Sequence, residues 1–535
     1  MRAKYLFLII ICIAALYPPR SSFAQSSAAP ANSSWSFFNW SLPPTLPWST
    51  YQDTFIGIPP TYDPVASPFD TLFYDQVYKT LAGGTGGSAG GNCYGMSLMS
   101  LLLIRDGGHL GFCAPVNQYS GDLANVNTGP TDPRLALAIN IMHGHQVNLP
   151  TVQFMLNVVA NHNNRDAAYA VQQFNYWQSR GDYTLVSVTK DLNPMDGGHT
   201  LVAYALGGPG NQNIMVYDPD RPWLDPPSQT WYQSGQNFIQ INGHSWSFTL
   251  AGSLGTWSGD PGSGGNLIIT PISVTAPDSP TPAALGTQII GQLLTTLLLT
   301  GQDAAIQQVT DDHGKRLFVP GTLDVDSNPA TGMRNTMPLF ISDQAHGSGP
   351  AKWILFHFGT TGGALHVAVN SGAAGYALSS YSGRTIVSVT ARGGKGAETV
   401  ALRYPTSREA GVVLENTRGT SDYDVQIYRA EVPRKLVNVF TSSHLTATAK
   451  GQIEVGLTNN GQAISVSSRG APTHYDLELR TITRSGQQAL TKTQITQDAG
   501  TVHTVRPKDW QNLKTGGVVE RTEPVSSLSP MPIPR

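Results

Sequence analysis

From about residue 315 the chain reads as one short strand after another, at 353–358, 364–369, 385–390, 412–414, 423–428, 452–455, 463–466 and 475–479. Apolar and polar residues tend to alternate in these runs, and Gly- and Asn-rich turns such as 458–461 separate them. A period of two turns one face of each strand into a core. This half therefore predicts an all-β region of one or two β-sandwich modules, Ig-like in character. Tyr423-Asp424-Val425 and Tyr475-Asp476-Leu477 hint at a repeated unit.

The first half has a different rhythm. Helical patterns at 95–105, 132–145 and 165–180 precede strand patterns at 184–188, 200–206, 214–217 and 238–241. Helices followed by strands predict a segregated α+β domain, so the chain as a whole is multidomain. Its 535 residues suffice for two to four domains. Lys+Arg 33 against Asp+Glu 35 gives a net charge of -2, which excludes nucleic acid as the main partner. Three cysteines are too few for a disulfide framework or an all-thiolate zinc site.

Arg2 and Lys4 precede an apolar run over 5–16, too short for a bilayer span of about 20 residues. Ser22-Phe23-Ala24 then places small residues before a cut after Ala24. The pattern predicts a secretory signal peptide over 1–24, a secreted, periplasmic or cell-surface location, and no transmembrane anchor after cleavage. Cys12 leaves with it, which keeps only Cys93 and Cys113. Residues 25–64, with Trp35, Trp40 and Trp48, read as a Pro/Trp-rich arm packed on a domain over 65–275. Residues 276–314 read as a linker with an apolar helix at 285–299, 315–519 as the β-sandwich region, and 520–535 as a disordered Pro/Ser-rich tail.

Chemistry concentrates at Asn92-Cys93-Tyr94-Gly95-Met96-Ser97, which follows a glycine-rich run over 83–91. Asn92 suits a helix N-cap, and Arg105 with Gly107 suits the helix end. Cys93 then sits in the first helical turn, where the partial positive charge favours a thiolate and free N–H groups can hold an oxyanion. The glycine run lacks the Gly-Lys-Ser/Thr that closes a phosphate loop. Other readings of Cys93 are an inert buried thiol or a disulfide to Cys113. Cys113 has no cap or polar neighbours.

A cysteine nucleophile needs an imidazole and a group to orient it. His199 opens the strand pattern 200–206, a turn follows at 207–212, and 213–218 runs back. Pairing Leu206 with Asn213 brings His199 level with 218–220, so Asp218 can fix the tautomer of the ring. His143 and His145 are two apart and would point to different helix faces, and His109 reads as solvated. There is no HExxH and no other zinc pattern.

Asn92-Cys93-Tyr94-Gly95-Met96-Ser97, His199-Thr200-Leu201-Val202 and Val216-Tyr217-Asp218-Pro219 together resemble the papain-like cysteine hydrolases. The order and the Tyr-Asp-Pro segment resemble the bacterial double-glycine-type branch, over about 65–250. The resemblance implies a papain-like α+β fold and a secreted cysteine peptidase or amidohydrolase acting on a peptide or protein. Cys93 would attack an amide, His199 protonate the leaving amine and Asp218 orient His199, through a thioester without metal or cofactor. The family's oxyanion-hole Gln has no counterpart close before Cys93, and Gln76 lies far upstream. The backbone N–H of Cys93, with Asn92 beside it, is left for that role. Two other readings stand: a transglutaminase-like acyltransferase, and a non-catalytic adhesin with a vestigial cysteine domain whose β-rich half binds a cell-surface or saccharide ligand.

Overall fold

The structure is a computed structural model. It describes residues 28–525 apart from 41–45, 64–66, 77, 82–90, 125–127, 161–162, 191–197, 209, 211, 252–254, 277–293, 302–303, 320–335, 339–350, 359–363, 372–374, 383–384, 393–395, 404–409, 417–420, 432–435, 448–450, 459–460 and 484–485. The expected signal peptide, residues 277–293 of the linker and residues 526–535 lie outside the described residues. Two separate hydrophobic cores form, one from residues within 28–276 and one from residues within 297–513. Among the described residues no helix is long and apolar enough to cross a membrane.

Among the described residues the N-terminal unit has seven helices of more than one turn: α1 Trp48–Thr54, α2 Pro68–Gln76, α3 Cys93–Asp106, α4 Pro133–Gly144, α5 Leu149–Ala160, α6 Ala167–Gln178 and α7 Pro226–Gln233. Its strands β1 Thr184–Thr189, β2 Gly198–Gly207, β3 Asn213–Tyr217, β4 Phe238–Asn242, β5 Ser245–Thr249, β6 Thr256–Gly259 and β7 Leu267–Pro271 form one antiparallel sheet in the order β6-β5-β4-β3-β2-β1-β7. The middle helix, α3, is buried from Cys93 through Leu103 and packs on α4 and β2. Gly95 makes the α4 contact possible, since a Cβ there would run into the Ile139 carbonyl oxygen. Apart from α7, which lies between β3 and β4, these helices precede the strands, the segregated α+β order that the patterns predicted.

The arm is part of this core. Trp35 and Phe37 are fully enclosed, Trp40 nearly so, and the Trp35 indole N–H donates to the Met96 carbonyl on α3 at 3.0 Å.

The C-terminal unit is a two-layer sandwich of nine-stranded antiparallel sheets. In spatial order one contains Arg316–Phe318, Ala305–Thr310, Ala364–Ser371, Gly396–Arg403, Gly411–Asn416, Gln452–Thr458, Ala463–Arg469, Thr501–Pro507 and Val518–Pro524. The other contains Thr336–Pro338, Ala351–Phe358, Leu294–Gly301, Tyr376–Ser382, Thr385–Arg392, Ser421–Glu431, Leu436–Ala447, Thr473–Thr483 and Gly486–Gln497. From Tyr376 onward successive hairpins go alternately to one sheet and then the other. This takes the place of the Greek-key order of an Ig-like module.

Three four-strand units result, and each opens on a buried tyrosine: Tyr376, Tyr423 and Tyr475. In the second and third units a β-bulge follows the tyrosine. Asp424 Oδ1 there accepts the N–H of His444, and Asp476 Oδ1 that of Gln494, both acceptor-facing residues having positive φ (59° and 56°). The Tyr-Asp pair seen in the sequence marks this repeated corner.

Two expectations are corrected. The apolar helix over 285–299 gives way, in its described part, to the strand Leu294–Gly301, which lies inside a sheet with Leu297 and Leu299 fully buried. Its threonines favour a strand and its leucines at 297 and 299 share one face. The tail after 519 begins instead as the edge strand Val518–Pro524, paired with Thr501–Pro507 and charged at Glu520, Arg521 and Glu523, as exposed edges commonly are.

Candidate active site

Cys93 is the first residue of α3, and Asn92 at the helix boundary makes no side-chain cap. The arm has claimed Asn92. Asn39 Oδ1 accepts its backbone N–H at 2.5 Å, and its side-chain amide donates to the Trp40 carbonyl at 2.9 Å. The expected cap is thus replaced by a tether. A histidine satisfies the helix start instead: the Gly95 N–H donates to His143 Nδ1 at 3.4 Å. That bond leaves the proton on His143 Nε2, which donates to the Leu81 carbonyl at 3.2 Å.

Cys93 and Ser97, one turn apart on α3, bracket the peptide of Thr200. The Thr200 N–H donates to Cys93 Sγ at 3.4 Å, and Ser97 Oγ donates to the Thr200 carbonyl at 3.1 Å. The clamp fixes β2 against α3 and sets His199 beside the thiol, to which it is hydrogen-bonded. Its Nε2 is 2.7 Å from Asp218 Oδ1, which leaves Nδ1 for the sulfur.

The register that brings these residues together differs in detail from the expected one. Leu206 pairs with Ile214, not Asn213, but a bulge at Tyr204 absorbs one residue, so Val202 pairs with Tyr217. At the site end of the hairpin the alignment is therefore the one that the spacing gave.

Three side chains that sequence reasoning did not pick out frame Asp218. Asp220 Oδ2 lies 3.7 Å from His199 Nε2, and the Asp220 N–H donates to Asp218 Oδ1 at 2.9 Å. Arg221 Nε is 3.4 Å from Asp218 Oδ2, and its guanidinium stacks over Trp231 at 4.2 Å. The Tyr232 hydroxyl accepts the Asp218 N–H at 3.3 Å and donates to the Arg221 carbonyl at 2.9 Å. The charges Asp220 and Arg221 directly follow the Asp-Pro pair, which was the signal available in the sequence.

Cys93 and Asp218 are fully buried and His199 is 2% exposed. Burial pushes the His199 pKa down, but Asp220, Asp218 and the bond to Cys93 outweigh it and raise the value well above 6.5. Burial pushes Asp218 up, and His199, Arg221 and the Asp220 N–H outweigh that and hold it below the usual carboxylate range. Both shifts favour the charged forms of His199 and Asp218, and a ring held towards its cation beside a sulfur at a helix N-terminus favours negative charge on that sulfur.

His199, Asp218 and Asp220 also bring three potential metal ligands within 4.8 Å. Cys93 and Cys113 are both free thiols, so the alternative of a disulfide between them is not realised. Cys113 is exposed, and His109, expected to be solvated, is half-buried with its pKa lowered by desolvation. His145 lies apart from the site, its Nδ1 on the Thr275 carbonyl at 2.9 Å. No family model, curated protein or solved structure matches this chain, and the site is read from its own geometry.

Proposed function

We propose that the N-terminal unit is a papain-like cysteine hydrolase that cleaves amide bonds of peptides or proteins with Cys93, His199 and Asp218. The observation that carries this reading is the double engagement of His199: Nε2 on Asp218 Oδ1 at 2.7 Å, with the ring also hydrogen-bonded to Cys93. A buried helix that opens on Cys93 and an antiparallel strand that carries His199 support the papain-like assignment.

In the reaction, Cys93 Sγ attacks the carbonyl carbon and forms a C–S bond while the carbonyl oxygen takes the electron pair. The Cys93 backbone N–H at the helix start is the donor proposed for that oxygen. Collapse expels the amine, which takes its proton from His199. Water, deprotonated by His199, then hydrolyses the thioester and releases the acid and the thiolate. Asp218 holds the ring in place, and the chemistry asks for no cofactor.

The test is alkylation of the full chain by iodoacetamide, read peptide by peptide so that exposed Cys113 is separated from Cys93. Rapid labelling of Cys93 that falls at least tenfold in His199→Ala supports the triad. Labelling at the same rate in both proteins would sink it. The transglutaminase-like reading differs in its acceptor and is separated by crosslinked product when a primary amine is supplied. Full burial of Cys93 favours a second reading, in which the domain is non-catalytic and the β-rich half does the binding. A Cys93 that stays unlabelled in the folded protein is its signature.

A further inference from the structure

We propose that Ser97 is a positioning residue of the cysteine site: it aims the Thr200 N–H at Cys93 Sγ and thereby holds the sulfur as a thiolate. The inference rests on the reading of Cys93 as a nucleophile. It adds to that reading a donor distinct from His199 and from the helix start.

The chain sets the geometry locally. Cys93 and Ser97 are four residues apart, so they share one face of α3. Along β2 the pairing with β3 ends at Val202 and Tyr217, and Thr200 lies two residues beyond that end. A residue of an antiparallel strand turns its N–H and its C=O to the same side. Both groups of Thr200 go to α3: the N–H donates to Cys93 Sγ at 3.4 Å, and the carbonyl accepts from Ser97 Oγ at 3.1 Å. The side chain of Thr200 is held separately, with Oγ1 3.0 Å from Ser187 Oγ on β1.

Cys93, Ser97 and Thr200 are fully buried, where a hydrogen bond is electrostatically stronger than in water. A thiolate accepts an N–H more strongly than a thiol does, so the donor favours the charged form. Removing the Ser97 hydroxyl frees the Thr200 carbonyl and lets the strand draw its N–H off the sulfur. The titratable and charged groups around the sulfur act by other routes. His199 is bonded to it, with Asp218, Asp220 and Arg221 behind the ring, and His143 of α4 meets the helix start at the Gly95 N–H.

The test is the titration of Cys93 in the full chain, followed by NMR of cysteine isotopically labelled at Cβ, whose shift separates thiol from thiolate. The Cys93 signal is the one lost in Cys93→Ala. In Ser97→Ala the midpoint should rise by about one pH unit, the order of one hydrogen bond to a charged group. Exchanging Thr200 for its α-hydroxy acid removes the N–H alone and should raise the midpoint at least as far. Ser187→Ala, which removes the other bond to Thr200, should leave it in place. The proposal is overturned if Ser97→Ala and the hydroxy acid both leave the midpoint unmoved, or if Ser187→Ala raises it as far as Ser97→Ala does. It is also overturned if the Ser97→Ala shift vanishes in a His199→Ala background. A Ser97→Ala shift that persists while His199→Ala by itself moves nothing supports the donor and counts against the triad.

Discussion

His199 Nε2 stands 2.7 Å from Asp218 Oδ1, and one bulged residue, Tyr204, shifts the register so that Val202 pairs with Tyr217 at the site end of the hairpin. Without it the register at Gly207 and Asn213 would run straight through and carry Asp218 one step along the ladder. A second carboxylate, Asp220, follows at 3.7 Å, so the imidazole faces two negative groups on one side and the thiol on the other.

This arrangement gives a pH dependence with a defined sign. His199 is raised well above 6.5, so its contribution to stability is complete below 6.5 and is lost as pH rises through the folded value. Asp218 is lowered, so its contribution is complete above 3.8 and is lost as pH falls through its folded value. Tm should therefore fall on the alkaline side, and less so in Asp218→Asn. Asp220→Asn should bring the His199 midpoint down in an NMR titration of its ring protons. An unmoved midpoint would remove Asp220 from the account.

Gly95→Ala should destabilise the N-terminal unit although alanine is the better helix former by ~1 kcal/mol. The new Cβ would meet the Ile139 carbonyl and lie 2.8 Å from His143 Cβ, neither of which can move without parting α3 from α4. Overpacking of this kind typically costs about 1–3 kcal/mol. A lowered urea midpoint together with slower alkylation of Cys93 is the expected pair of results.

Asn39 ties the two ends of the site, since it holds the Asn92 N–H through Oδ1 and donates its own N–H to the Pro219 carbonyl at 3.0 Å. Asn39→Ala leaves the Asn92 N–H unpaired, at about 1–3 kcal/mol. Trp35→Ala removes a fully enclosed ring and should cost about 3–5 kcal/mol. Thermal unfolding should rank the two in that order, with Cys93 alkylation slowed in Asn39→Ala even well below its Tm.

In the sandwich, Tyr376 and Tyr423 both donate to Glu398 Oε2, at 3.0 and 2.9 Å, across the two sheets. Hydrogen bonds to a charged group contribute about 1.5–3 kcal/mol each. Tyr423→Phe should lower stability by that order, and Tyr376→Phe in the same background by more than it does alone. Denaturant unfolding of the single and double variants is the check; strict additivity would mean that the shared carboxylate does not couple them.

Much of the site was legible because local rules act over short spans. The helical spacing after Asn92 marked α3, and the count from Leu206 to Asn213 carried His199 to the level of 218–220 despite the unforeseen bulge. What sequence could not supply was contact between distant segments. Asn92 looks like a cap until Trp40, more than fifty residues earlier, takes its amide, and His143 looks incidental until α4 lays it against Gly95. In the second half the strands were plain from their period, but which sheet each joined was not. Leu294–Gly301 misled because three consecutive leucines obscure the alternation that its neighbours enforce.

The alternation of hairpins between the two sheets makes the sandwich a ruler. Each four-strand unit widens both layers by two strands, about 10 Å at the usual spacing, and closes its own corner on a tyrosine. Units can thus be gained or lost in whole steps without a redesigned core, as in other linear repeats. Reach is then set by copy number, while the chemistry at either end is free to change by itself.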